Sequence, residues 1–141
     1  MDITQLKIHE LRKMLDEKEI SSVELTNEYL KKIDCFDEKI QSFITVTKEF
    51  ALENAKNAQS LIDSKNADPL CGIPIAIKDN ICTENIKTTC SSKILENFIP
   101  TYNATVINKL KNENFVLMGK VSLDEFAMGG STQTSAFKKT K

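Results

Sequence analysis

Apolar positions in the first third of the chain recur at helical spacing. Ile8, Leu11 and Leu15 fall on one face of a 3.6-residue period, with Thr4 ahead of them as a candidate cap. Ser21-Ser22-Val23-Glu24 has the form of a capping box, with Ser21 at the cap and Glu24 three residues on. It opens a second helix expected to bury Val23, Leu30 and Ile33 beside Leu25 and Tyr29. A third helix carries Ala51, Ala55, Ala58 and Ile62, a stripe of small residues that lets a neighbour approach closely. Asn66-Ala67-Asp68-Pro69-Leu70 then reads as a turn.

Beyond the turn the pattern changes to short apolar runs separated by Thr, Ser and Cys. Ile73 to Ile77 carries no polar side chain and reads as a strand buried on both faces. Asn103 is a candidate cap for a helix through Val106, Ile107 and Leu110. Phe115 to Gly119 is a second short strand, and Ser122-Leu123-Asp124-Glu125 a second capping box opening a short helix. Strand, helix and strand suggest a right-handed parallel crossover. The expected fold class is α/β, with an N-terminal helical region over 1–66 and the opening of a sheet over 67–141. Two short strands make a small sheet, so the pattern reads as the first part of a larger domain.

Charge narrows the functional classes. Twenty acidic residues nearly cancel nineteen basic ones, which argues against a strong positive field for nucleic acid. No apolar run approaches membrane-spanning length, and Met1-Asp2-Ile3-Thr4 does not resemble a secretory signal, so a cytoplasmic protein with no membrane role is expected. The four cysteines, Cys35, Cys71, Cys82 and Cys90, are unevenly spaced without a CxxC pair. His9 is the one histidine and reads as a surface residue, so neither a zinc site nor a disulfide is expected. Reduced, mostly buried thiols fit this pattern.

The candidate chemistry begins at Lys78, which follows the apolar run Ile73 to Ile77 directly. An amine at the end of a buried strand is poorly solvated, and desolvation favours its neutral form, a general base. The local pattern alone favours an amine that snorkels to solvent or pairs with a carboxylate. Asp79 is a poor partner for it, because neighbours on a strand point to opposite faces.

Three blocks occur in order: Gly72-Ile73-Pro74-Ile75-Ala76-Ile77-Lys78-Asp79-Asn80, then Thr88-Thr89-Cys90-Ser91-Ser92-Lys93, then Gly119-Lys120 with Asp124-Glu125-Phe126-Ala127-Met128-Gly129. Together they resemble the amidase-signature family over essentially the whole chain. Within it they look most like the glutamine-hydrolysing subunits of tRNA-dependent amidotransferases. The resemblance implies a mixed sheet, of which this chain holds the beginning, and a Ser–cis-Ser–Lys triad whose lysine is Lys78. It puts Met128, Gly129, Gly130 and Ser131 on the family's substrate-pocket loop. That loop departs from the usual form, which favours Ser at the position of Gly130 and Glu-Asn at Gln133-Thr134. Thr88, Thr89, Ser91 and Ser92 either donate hydrogen bonds near the site or form a solvated polar loop.

The family's two catalytic serines lie in Gly/Ser-rich segments downstream of these blocks, past Lys141, so the 141 residues alone are expected to be inactive. The resemblance further implies glutamine as the amide and the other subunits of a heterotrimer as partners, with Glu-tRNA(Gln) reached through the complex. No cofactor is expected in this chain; ATP and magnesium would be used by the holoenzyme. Two rival readings are a stand-alone amidase of small amides and a non-catalytic fragment.

Overall fold

The computed structural model describes residues 2–141. Its helices are α1 (Ile8–Asp16), α2 (Ser22–Ile40), α3 (Lys48–Asp63) and α4 (Thr105–Asn112), and its strands β1 (Phe43–Val46), β2 (Pro74–Lys78) and β3 (Val116–Val121). Short 3-10 turns lie at Ile3–Gln5, Lys93–Leu95 and Glu125–Ala127. The fold class is α/β, as expected. The sheet has the order β1-β3-β2. β1 runs antiparallel to β3. Val116 N–H donates to Ile73 O at 2.9 Å and Asp79 N–H to Val121 O at 3.0 Å. The partners rise together along both strands, so β2 and β3 are parallel and the sheet is mixed. The four-residue strand β1 is absent from the expected elements, because it sits between two long helices in a stretch that reads as helical throughout.

The helix starts follow local competition for backbone N–H groups. At Ser21 the reciprocal box forms as expected. Ser21 N–H donates to Glu24 Oε2 at 2.8 Å, and Glu24 N–H to Ser21 Oγ at 3.1 Å. Thr4 does not cap α1. Its N–H and hydroxyl both donate to Asp2 Oδ1, closing the first 3-10 turn, and Lys7 caps the helix with its N–H on Glu10 Oε2 at 2.7 Å. Asn103 turns its Oδ1 to the Glu84 N–H at 2.8 Å. Ser122 makes no capping box, since its hydroxyl donates to Lys138 O at 2.8 Å.

The chain forms two compact units, neither a single stretch of sequence. The first unit, Met1–Asp34, Thr47–Ile75 and Leu110–Met118, is mainly helical. Leu11, Leu15, Leu25, Ala58, Ile62, Cys71 and Ile73 make one buried cluster in it. The alanine stripe of α3 behaves as predicted, with Ala51, Ala55, Ala58 and Ile62 all buried. In α2, Leu25 and Leu30 are buried, while Val23, Tyr29 and Ile33 are partly so.

The second unit comprises Cys35–Val46, Ala76–Lys109 and Gly119–Lys141. Asp37 anchors its start, its carboxylate accepting from Ser42 N–H at 2.8 Å and Phe43 N–H at 3.1 Å and pairing with Lys138 at 3.3 Å. Gly119 lets two strands of its sheet approach closely. At φ +150° its backbone lies so close to β1 that a Cβ would sit 2.2 Å from Thr45 O. A methyl group here forces the strands apart. Gly119→Ala is therefore expected to destabilise the protein by about 2 kcal/mol or more, read as a lowered urea midpoint at unchanged m-value.

Candidate active site

Lys78 ends β2 and is exposed, contrary to the burial expected from the apolar run before it. The reason is topological. β3 is the middle strand, and β2 has a strand neighbour on one side only among the described residues. Along β2 only Ile77 is buried, and Ala76 is exposed. Lys78 opens onto a pocket of about 280 Å³ that it shares with Asp124, Gly129, Gly130, Ser131 and Thr132. Three of the four expected pocket-loop residues thus meet Lys78. Met128 does not line this pocket, and its side chain is 80% exposed.

Asp124 builds the pocket wall. Its Oδ2 accepts from Ser131 N–H at 2.7 Å and Thr132 N–H at 2.9 Å, and its Oδ1 from Thr134 N–H at 3.0 Å and Thr134 Oγ at 2.9 Å. The N–H groups of Thr134 and Ser131 hold the carboxyl well below the usual carboxylate range. The loop wraps this closely because Gly129 has no side chain; a Cβ there would lie 2.5 Å from Asp124 Cγ.

Next to Lys78 in the chain, Asp79 forms a buried ion pair that sequence reasoning missed. Lys120 and Asp79 are both 0% exposed, with Nζ 3.5 Å from Oδ1. Lys120 Nζ donates to Thr88 Oγ at 2.7 Å and Ile81 O at 2.9 Å. Asp79 Oδ2 accepts from the Thr89 N–H at 2.9 Å and the Thr89 hydroxyl at 2.5 Å. Burial pushes the lysine pKa down, and the Asp79 carboxylate opposes that shift. The signal was available: Lys120 follows the apolar run of β3 much as Lys78 follows that of β2.

The solvated polar loop considered for Thr88, Thr89, Ser91 and Ser92 does not form, whereas Thr89 does donate a hydrogen bond beside the site, to Asp79 next to Lys78. All four are buried, and their hydroxyls serve the framework. Ser91 Oγ accepts from the Leu123 N–H at 3.1 Å, and Ser92 donates to Glu125 Oε1 at 2.5 Å. Cys90 and Ser91, and across from them Phe126 and Ala127, hold positive φ values without being glycine. The Phe126 N–H donates to Cys90 O at 3.0 Å. Paired left-handed residues of this kind cost energy and persist where surrounding contacts over-determine them.

All four cysteines are free, but only Cys71 is buried, so the expectation of mostly buried thiols is corrected. Burial pushes the Cys71 and Cys90 thiols up, which disfavours their thiolates as nucleophiles. His9 is exposed on α1, as expected. Among the described residues no helix is long and apolar enough to cross a membrane.

A basic side chain at a strand end, facing a loop rich in glycine and hydroxyl residues, is the arrangement to set beside known proteins. The Amidase family matches residues 24–141, and the chain belongs to that family. At finer grain, it is 56% identical over all 141 residues to the A subunit of the glutamyl-tRNA(Gln) amidotransferase of Ruminiclostridium cellulolyticum, spanning 29% of that relative's length. The solved A subunit from Thermotoga maritima is 37% identical with a TM-score of 0.73, over 97% of this chain and 27% of that one. The native peptide amidase of Stenotrophomonas maltophilia is 26% identical with a TM-score of 0.83, over 92% of this chain and 27% of that one.

The depressed carboxyl of Asp124 sets a pH expectation. A group whose folded pKa lies below its unfolded value stabilises above the unfolded pKa, near 4, and loses that contribution as pH falls through the folded value. The Ser131 and Thr132 amides should therefore stay protected from hydrogen exchange from neutral pH to about pH 4 and lose protection only below it. Asp124→Asn should speed their exchange at neutral pH roughly tenfold.

Proposed function

We propose that this chain belongs to the glutamine-hydrolysing subunit of a Glu-tRNA(Gln) amidotransferase, with Lys78 as its general base. The observation that carries this reading is the 56% identity over every residue to a protein of that name. The shared pocket of Lys78 with Gly129, Gly130 and Ser131 supports it. In this mechanism the Lys78 amine takes a proton from a bridging serine, which relays it from the nucleophilic serine. The nucleophile attacks the glutamine carboxamide, the C–N bond breaks, and ammonia leaves with the relayed proton. Water then hydrolyses the acyl-enzyme to glutamate.

Ammonia passes to a partner in the heterotrimer, where glutamyl-tRNA(Gln), activated by ATP with magnesium, is amidated to glutaminyl-tRNA(Gln). No cofactor is assigned to this chain. The setting is the cytoplasm. A second reading, a stand-alone amidase, draws on the higher TM-score with the peptide amidase, 0.83 against 0.73. The higher sequence identity favours the amidotransferase, 37% against 26%.

In the assembled enzyme, Lys78→Ala should lower glutaminase kcat roughly a thousandfold. Its melting temperature should hold, since Lys78 is exposed. Added ammonium should restore glutaminyl-tRNA(Gln) formation. Retained glutaminase turnover would exclude Lys78 as the base. Turnover of small amides without any tRNA-dependent product would favour the amidase.

A further inference from the structure

We propose that the buried Asp79–Lys120 pair is a positioning device that aims Lys78 into the pocket. The inference rests on the reading of Lys78 as the general base. Among the described residues the Lys78 side chain makes no hydrogen bond, so its direction comes from its backbone. That backbone is held through its neighbour. Asp79 N–H donates to Val121 O at 3.0 Å, and Asp79 O accepts from Cys90 N–H at 2.9 Å. Its carboxylate is gripped by Thr89 on one oxygen and faces Lys120 with the other. Ile81 N–H donates to Lys78 O at 3.0 Å, and Ile81 O in turn accepts from Lys120 Nζ at 2.9 Å.

Successive strand residues point to opposite faces, so pinning Asp79 inward turns Lys78 outward to the pocket side. Pure stability does not call for such a pair. Two well-packed apolar side chains of similar volume are often as stable as a buried ion pair. What the pair adds is one permitted orientation: a buried carboxylate and ammonium must meet each other, whereas apolar neighbours tolerate a slipped register. Chemistry at Lys78 needs that orientation, because a misplacement of about 1 Å can cost on the order of a hundredfold in rate.

The test uses the full-length protein in complex with its partners, assayed well below its melting temperature. Thr89→Val is nearly isosteric and removes one O–H donor from Asp79; Thr89→Ser keeps that donor. Thr89→Val is expected to lower glutaminase kcat about tenfold with KM for glutamine within about twofold, since Asp124 and not Thr89 holds the pocket loop. Thr89→Ser should restore kcat, and ammonium-dependent amidation should be equal in all variants. Asp79→Asn serves as a second variant and should show the same split between kcat and KM. A lowered melting temperature with wild-type kcat in Thr89→Val and Asp79→Asn would make the pair purely structural and overturn the proposal. A rise in KM at constant kcat would overturn it too. Lys78→Ala, run alongside, isolates the underlying reading: if that variant keeps its kcat, Lys78 is not the base, whatever the Thr89 variants do.

Discussion

A lysine ammonium with no access to solvent constrains everything around it. Lys120 sits on the middle strand of the sheet at 0% exposure, and an unpaired charge there would cost several kcal/mol. The fold answers with a carboxylate, a carbonyl and a hydroxyl from a single stretch of chain: Asp79, Ile81 and Thr88. Satisfying one amine therefore fixes how the chain leaves β2 and returns through the Thr88–Ser92 corner. The left-handed backbone of Cys90 and Ser91 is the local cost of that return, and their carbonyls receive Phe126 and Ala136 N–H groups in turn.

The contrast between the two lysines explains what sequence could and could not reveal. Lys78 and Lys120 both follow short apolar runs, and desolvation predicts the same burial for either. Lys78, which the pattern singles out, is exposed; Lys120, which it passes over, is buried. The missing information is strand order, since burial at a strand end depends on whether neighbours lie on both sides. Nothing in Ile73 to Ile77 or Phe115 to Gly119 says which run is central. Alternation along the strand was legible, however, and the expectation that Asp79 would not partner Lys78 holds because the two side chains leave opposite faces.

Local signals succeeded where one interaction dominated. The Ala51, Ala55, Ala58 and Ile62 stripe can face only inward, and Ser21 with Glu24 has no better partners than each other. Cap candidates failed where a nearby group outbid the helix end: Asp2 for Thr4, the Glu84 N–H for Asn103, the Lys138 carbonyl for Ser122. The same competition hid Asp124. Read as part of a capping box, it instead collects the N–H groups of Ser131, Thr132 and Thr134. Those donors lie seven to ten residues downstream, beyond the reach of any short-range pattern.

Two acidic residues thus divide the work around the pocket. Asp124 organises the loop that forms its wall by gathering backbone N–H groups. Asp79 organises the strand end that carries Lys78. Neither carboxylate is open to an incoming ligand: Asp124 is committed to three amides and a hydroxyl, and Asp79, fully buried, is bonded to Thr89 on one oxygen and ion-paired with Lys120 through the other. Asp124 used in this way is scaffolding, because each of its oxygens already accepts two hydrogen bonds. The Lys78 amine lines the pocket without a hydrogen bond of its own among the described residues, and under the proposed role the geometry around it holds that side chain still without touching its amine.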